Sequence, residues 1–362
     1  MSNLKRDISN WTGESRLVEW LEHHFGVRMT SAEPCKGVLK CTTDLGTVAL
    51  KRVRDGEKKR WYFVTDVAEH VGKVKPQHPR IPSPILTRSH KPYFDGFCHS
   101  YVLLPWIEAN PISLKSADDW KQASKGIAHF HQYTRGFVPH QRDRMFERIG
   151  KWSNDWNRFY QRAEVFRLAA QWTDTPSEVD QLWLDSSAYI TGLMENVLQY
   201  YEQLDGDTLC LQVAEHGKVC HNNLSRHHLL LDEHEHIHLI DWNECNSDVR
   251  AKDLASWLLY AYGQTGSRSV LEAVLKGYQD ISPLDESEYA LIYASLLFPE
   301  KLYQVLSAIY DQEAISLHTA TQPIQWATMI EEKKVKLIGL FSDIARDCFA
   351  KTIPEIDWMT AR

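Results

Sequence analysis

No Cys-x-x-Cys pair occurs in this sequence, and its seven cysteines (35, 41, 98, 210, 220, 245 and 348) are odd in number and widely scattered. That spacing speaks against an extracellular disulfide framework and against a zinc ribbon, and it leaves reduced, mostly buried thiols as the expectation. Long apolar runs are missing too. Nothing approaches the roughly 18 residues of a membrane span, and the opening segment MSNLKRDISNWTGESRL has no apolar core of signal-peptide length. The expectation is a chain without a transmembrane segment, made and folded in a cytoplasm. A basic block is absent as well: the net charge is -7 and the pI about 6.2, which argues against nucleic acid as the main partner. Internal repeats, low-complexity tracts and disordered linkers are not evident.

What is present suits a globular protein of two domains or two lobes. The chain has 362 residues, 43% hydrophobic and 25% charged, with 13 Trp and 15 Tyr to fill a large core. Strand character begins at Cys35, where CKGVLKCTTDLGTVALKRV places two β-rich runs around a Thr-Asp-Leu-Gly turn and predicts a hairpin. In GEKKRWYFVTDVAEHVG, Trp61, Val64, Val67, Ala68 and Val71 recur at helical spacing, with Gly72 as the expected stop. After the proline-rich HPRIPSPILTRS come a second hairpin at HKPYFDGF and the apolar SYVLLPW. Beyond PWIEANP helices dominate, expected near 116–135, 152–172, 178–205, 248–262, 285–310 and 323–350. A β-rich front (1–105), a hinge at 106–110 and a helical back (111–362) describe a bilobal α+β protein.

One β-like island interrupts the helices, VCHNNLSRHHLLLDEHEHIHLIDWNEC at 219–245. Leu229 to Leu231 and Ile237 to Trp242 form two short runs with DEHE turning between them. Period two in the second run places Ile237, Leu239 and Asp241 on one face and His236, His238 and Ile240 on the other. A carboxylate among apolar neighbours is seldom there for packing alone, so Asp241 is a candidate site residue. His227, His228, His234, His236 and His238 invite a metal-site reading. Their spacing matches no structural zinc motif, and an exposed polar face on a small hairpin is the plainer expectation.

The ordered set TVALKRV, YVLLPWIE, IAHFH, CHNNLSRHHLLL, LIDW and DLASWL resembles the aminoglycoside-phosphotransferase and choline-kinase branch of the protein-kinase-like fold. Within that branch, KGVLKCTTDLGTVALKRV, KPYFDGFCHSYVLLPWIEA and GIAHFHQYTRGF are most similar to spore-coat proteins of the CotS type from endospore-forming bacteria. The resemblance spans roughly residues 35 to 350. It implies a small β-rich N-lobe, a large mainly helical C-lobe, and a site for ATP with a divalent metal, magnesium or manganese. Such a fold supports phosphoryl transfer through positioning and charge neutralisation.

On that resemblance Lys51 in VALK holds phosphate oxygens, with Glu57 and Glu69 as candidate partners, and Trp106 at the hinge stacks on adenine or sits in the core. Only Gly37 lies in the turn that a glycine-rich phosphate loop would occupy. His131 matches a structural helix-end position. The family's catalytic loop reads H-G-D-L-x-x-x-N, whereas this chain reads His221-Asn222-Asn223-Leu224-Ser225-Arg226-His227-His228. Asn223 stands where the general-base Asp belongs. An amide has no comparable basicity, and loss of a general base costs on the order of 10²–10⁴ in rate. His228 replaces the metal-binding Asn. Magnesium prefers oxygen ligands, while manganese or zinc tolerates imidazole better. Asp241 remains as the expected metal carboxylate, and His221 and Asp253 remain as structural support for the loop.

The resemblance with these two exchanges predicts a kinase-fold protein with a degraded catalytic loop, a pseudokinase that is a structural or assembly component of the endospore coat. Its partners would be other spore-coat proteins, with synthesis in the mother cell and deposition in the coat. An active ATP-dependent phosphotransferase on a small hydroxyl- or amine-bearing molecule is the alternative from a different class. Regulation of a partner by ATP-sensitive closure of the lobes is not separable from the first reading by sequence.

Overall fold

Two short helices, α1 (Asn3–Thr12) and α2 (Leu17–Phe25), open the fold. Ile8, Leu17 and Leu21 are buried, and Gly26 ends α2 in the left-handed conformation, φ 72°, which a residue without Cβ adopts freely. Neither helix, nor strand β1 (Met29–Cys35), is among the elements expected from the sequence. Helices of 10 and 9 residues gain their stability from tertiary packing more than from propensity, so their local signal is weak. The computed structural model describes residues 3–54, 56–74 and 81–356. The start of the proline-rich stretch, His78 to Arg80, lies outside the described residues.

The first expected hairpin is strands β2 (Val38–Thr43) and β3 (Gly46–Val53). Its turn closes through the Thr43 hydroxyl, which donates to the Gly46 carbonyl at 2.7 Å and accepts from the Leu45 amide at 3.2 Å. Helix α3 (Lys58–Val74) follows and runs through Gly72 instead of stopping there. One glycine costs a helix only about 1 kcal/mol, and the buried stripe of Val64, Val67, Ala68 and Val71 holds the last turns in register. The second hairpin is β4 (Phe94–Asp95) with β5 (Ser100–Pro105), and all pairings in this five-stranded antiparallel sheet, order β1-β2-β3-β5-β4, are between neighbours.

Alternation along these strands decides where Lys51 goes. Leu39, Cys41, Val48, Leu50, Tyr101 and Leu103 form one core with Ile8, Leu17 and Leu21, so α1 and α2 cover that face of the sheet. Each fully buried aliphatic side chain there contributes about 1.5–3 kcal/mol. Lys51, paired across the sheet with Val38 and Val102, falls on the opposite face. The island is a smaller sheet in which β6 (Asn110–Pro111), β7 (Leu229–Leu231) and β8 (Ile237–Leu239) pair in that order. The expected alternation breaks after Leu239, because Asp241 lies outside the strand with φ 70°. His238 is buried, not exposed, and pairs with Asp232 at 2.9 Å.

The helical part comprises α4 (Ala117–Tyr133), α5 (Trp152–Gln171), α6 (Glu178–Gln203), α7 (Gly206–Val213), α8 (Ala251–Thr265), α9 (Arg268–Gln279), α10 (Glu286–Leu297), α11 (Glu300–Tyr310) and α12 (Thr321–Phe349). The single helix expected at 285–310 is two, because Pro299 holds Phe298 in an extended conformation, ψ 128°, between them. Helices α7 and α9 are additions to the expected set. Aromatic stacking fills this core: Trp156 on Phe298 at 4.6 Å and Phe159 on Tyr303 at 4.0 Å between ring centroids.

The described residues of Met1–Ser113, His129–Glu147 and His221–Ser247 form one unit, and those of Leu114–Ala128, Arg148–Cys220 and Asp248–Arg362 form a second. The first unit contains both sheets. The second contains most of the helices.

Candidate functional site

The loop between α7 and β7 is built around His221, which is fully buried. Its Nδ1 accepts from the Asn223 amide at 3.2 Å, so Nε2 carries the ring proton and donates to the Ile240 carbonyl at 2.9 Å. The ring also packs edge-on against Trp242 at 4.6 Å, and Trp242 packs against Phe130 at 5.1 Å. Asn222 takes the left-handed conformation, φ 58°, at the position where the resembled motif has glycine. Its side-chain amide donates to the Glu244 carbonyl at 3.1 Å. The loop's frame is thereby tied at both ends to the segment carrying Asp241.

Asp241 is the point of convergence. Its Oδ1 accepts a hydrogen bond from Lys51 Nζ, and its Oδ2 lies 3.2 Å from Nε2 of His228. Burial pushes the Asp241 pKa upward, but Lys51, His228 and His221 outweigh it and hold the carboxyl below its ordinary value. Nδ1 of His228 lies 2.6 Å from the Asn223 carbonyl oxygen. A carbonyl only accepts, so Nδ1 is the donor in this contact. Lys51, His228, Asn223 and Asp241 thus form one connected array, internal to the first unit.

Other candidates are placed differently. Neither Glu57 nor Glu69 reaches Lys51 among the described residues. Glu57 accepts from the Arg54 amide at 3.2 Å, and Glu69 lines a 260 Å³ cavity with Asp66, His70, Lys73, Phe137 and His140. Trp106 is half-buried, with Lys40 Nζ 4.8 Å over its ring, so it is not a core tryptophan. His131 is buried in α4, and Asp253 is buried in α8 within the second unit. The histidine-rich turn is organised by Asp232, which accepts from the amides of His234 and His236 at 2.9 and 2.8 Å and from the His238 ring. Among the described residues, no group of three metal-ligating side chains includes any of the five histidines from His227 to His238.

Sequence reasoning missed the direct pairing of Lys51 with Asp241. The pKa of His227 is lowered by desolvation and then by the positive charges of Arg226, Lys36 and His228. Lys36 sits at the β1–β2 turn with φ 44°. Magnesium, expected from the resemblance, needs oxygen donors around a six-coordinate ion. Here both Asp241 oxygens are engaged and the neighbouring donor is an imidazole nitrogen, so these residues do not fit it.

A family model described as "Spore coat putative kinase YutH" matches residues 18–336. The chain is 27% identical over 199 residues to "Endospore coat-associated protein YutH" of Bacillus subtilis (strain 168), a match covering 53% of this chain and 55% of that protein. It thus spans about half the length of that curated relative. Against "Spore coat protein S" of the same organism it is 22% identical over 295 residues, 79% of this chain and 80% of that protein. Among solved structures, an aminoglycoside phosphotransferase from Alicyclobacillus acidocaldarius superposes with a TM-score of 0.65 at 16% identity, covering 88% of this chain and 93% of that one. Spectinomycin phosphotransferase in complex with ADP and spectinomycin gives 0.53 at 17% identity, covering 92% and 98%. At such identities the likeness shows the fold alone, which is the aminoglycoside-phosphotransferase-like kinase fold.

Proposed function

Because the chain belongs to the family described as "Spore coat putative kinase YutH", we propose that it is a component of the endospore coat whose kinase-like site binds a nucleotide without ordinary turnover. The observation that carries this is the array at Asp241. Asn223 puts an amide side chain at the position of a general base, its backbone carbonyl contacts His228, and Lys51 is held against Asp241 by a direct ion pair. Lys51 on its strand, Asp241 and the half-buried Trp106 remain as a phosphate and base cradle. The ADP-bound spectinomycin phosphotransferase of the same fold makes a nucleotide the natural ligand class. Acting in the coat then means contact with other coat proteins, after synthesis in the mother cell.

Two measurements test this reading. ATP or ADP is expected to raise the melting temperature of the purified chain. No shift with either nucleotide, with magnesium, manganese, zinc or chelator present, sinks the binding claim. A fluorescent fusion expressed in a sporulating Bacillus host is expected to collect around the forespore, and diffuse signal throughout the mother cell counts against the coat assignment. A second reading, phosphoryl transfer to a small hydroxyl- or amine-bearing molecule, is favoured only by the retention of Lys51 and Asp241. Transfer from labelled ATP into a metabolite pool that is abolished by Asp241→Ala would establish it instead.

A further inference from the structure

We propose that Arg60 is a positioning residue of this site: from helix α3 it holds the chain that follows Asp241 and thereby keeps that carboxylate against Lys51. That the carboxylate belongs to a nucleotide site rests on the reading above. Helix α3 brings no acid to Lys51 among the described residues, so its link to the pair is of another kind. Nη1 of Arg60 donates to the Cys245 carbonyl at 2.7 Å, and the guanidinium lies 4.9 Å from the centre of the Phe146 ring. Nε of Arg60 is buried without a hydrogen-bond partner among the described residues, and the charge-assisted bond at Nη1 offsets that loss.

The segment from Asp241 to Ser247 is short and fastened along its length. Asp241 takes the left-handed conformation, φ 70°, which a residue with a Cβ keeps only where its surroundings fix it. Ahead of it, the Ile240 amide donates to the His228 carbonyl at 3.0 Å and the Ile240 carbonyl accepts from His221 at 2.9 Å. Behind it, a single 3-10 turn (Trp242–Glu244) closes as the Cys245 amide donates to the Trp242 carbonyl at 3.2 Å. Arg60 takes the Cys245 carbonyl, on the far side of that turn. Two residues on, the Ser247 amide donates to the Phe146 carbonyl at 3.0 Å, while the Phe146 ring packs against Phe63 of α3 at 5.6 Å. Helix α3 thus reaches the segment twice, through Arg60 directly and through Phe63 by way of Phe146. A tight turn passes a displacement of Cys245 on to Asp241, whose carboxylate is engaged on both oxygens, with Lys51 on Oδ1 and Nε2 of His228 3.2 Å from Oδ2. All of these residues belong to the first unit.

Acylation of Lys51 by a limiting amine-reactive ester, quantified by peptide mass spectrometry on the full-length chain against the exposed Lys59, probes the Lys51–Asp241 pair without any ligand. Asp241→Asn sets the level of the unpaired amine. Arg60→Gln is expected to raise Lys51 labelling by about threefold or more, towards that level, and a smaller rise overturns the inference. Arg60→Lys keeps a cationic donor on a long stem but loses the planar face, so it should recover at least about half of the protection. Labelling in Arg60→Lys equal to that in Arg60→Gln also overturns the inference, since the effect would then come from lost packing and not from the bond to Cys245. The wild-type chain supplies a second measurement that depends on no variant folding. The amides of Cys245 and Ser247 are expected to exchange with deuterium no faster than those of α3 around Arg60, and exchange about tenfold faster or more overturns the clamp. If the wild-type chain binds neither ATP nor ADP, the nucleotide reading falls, while Lys51 labelling still decides the role of Arg60.

Discussion

An acid at position 223 would leave His228 where it is, with Nε2 3.2 Å from Oδ2 of Asp241. Restoring only the acid should therefore gain little. Asn223→Asp alone is expected to show no phosphoryl transfer above background, whereas Asn223→Asp with His228→Asn should gain ATP consumption of about 10²-fold or more over either single variant, in the range a general base supplies. Radiolabelled ATP turnover at saturating magnesium checks this, and activity in the single variant would show that His228 is no obstacle. A second residue-scale expectation concerns Asp248, buried in the second unit and accepting from the Trp152 indole at 3.0 and 3.1 Å. Burial pushes its pKa up to about 7, despite the nearby Lys252. Its folded pKa thus lies above the unfolded value of about 3.9, so the native state binds the extra proton between these limits and stability falls as pH rises from about 4 through 7. Asp248→Asn should flatten that slope in urea melts between pH 5 and 8, and an unchanged slope would refute it.

At the scale of elements, a few close approaches hold the units together from within. In α9, a Cβ on Gly277 would meet the Lys121 carbonyl oxygen of α4 at 2.3 Å, closer than atoms can approach. Gly277→Ala should destabilise by about 1–3 kcal/mol, measured by denaturant unfolding, because backbone must move to relieve it. The buried carboxylate of Glu14 accepts from the amides of Phe97, Cys98 and His99 at 3.2, 2.8 and 3.1 Å, pinning the β4–β5 loop to the N-terminal helices. Glu14→Ala should cost roughly 2–4 kcal/mol and expose the loop at 96–99 to protease. Elements with long apolar periods, such as α3, α5 and α12, are legible in the sequence because their stripes repeat over several turns. The short α1, α2, α7 and α9 are not, since packing supplies the stability that propensity lacks. The Gly72 stop failed for the same reason.

For the whole molecule, a coat role that depends on binding and not on turnover makes one demand of the living cell. A Lys51→Met chain should still localise to the forespore surface if assembly uses the fold alone, and localisation lost in that variant would tie assembly to nucleotide. The ordered motifs from TVALKRV to DLASWL were enough to indicate the kinase-like fold and the spore-coat family, and Asn223 could be read directly at the position where the resembled motif has Asp. These depend on residue identity and order along the chain, which need no coordinates. What Lys51, Asp241 and His228 do to one another depended on tertiary structure. Lys51 and Asp241 lie 190 positions apart and meet only because β3 alternates its side chains and Asp241 leaves its strand at a left-handed residue. The approach of His228 to Asp241 was equally invisible, since charge has no periodicity to betray it. Electrostatic neutralisation is a matter of distance in space, and only folding sets that distance.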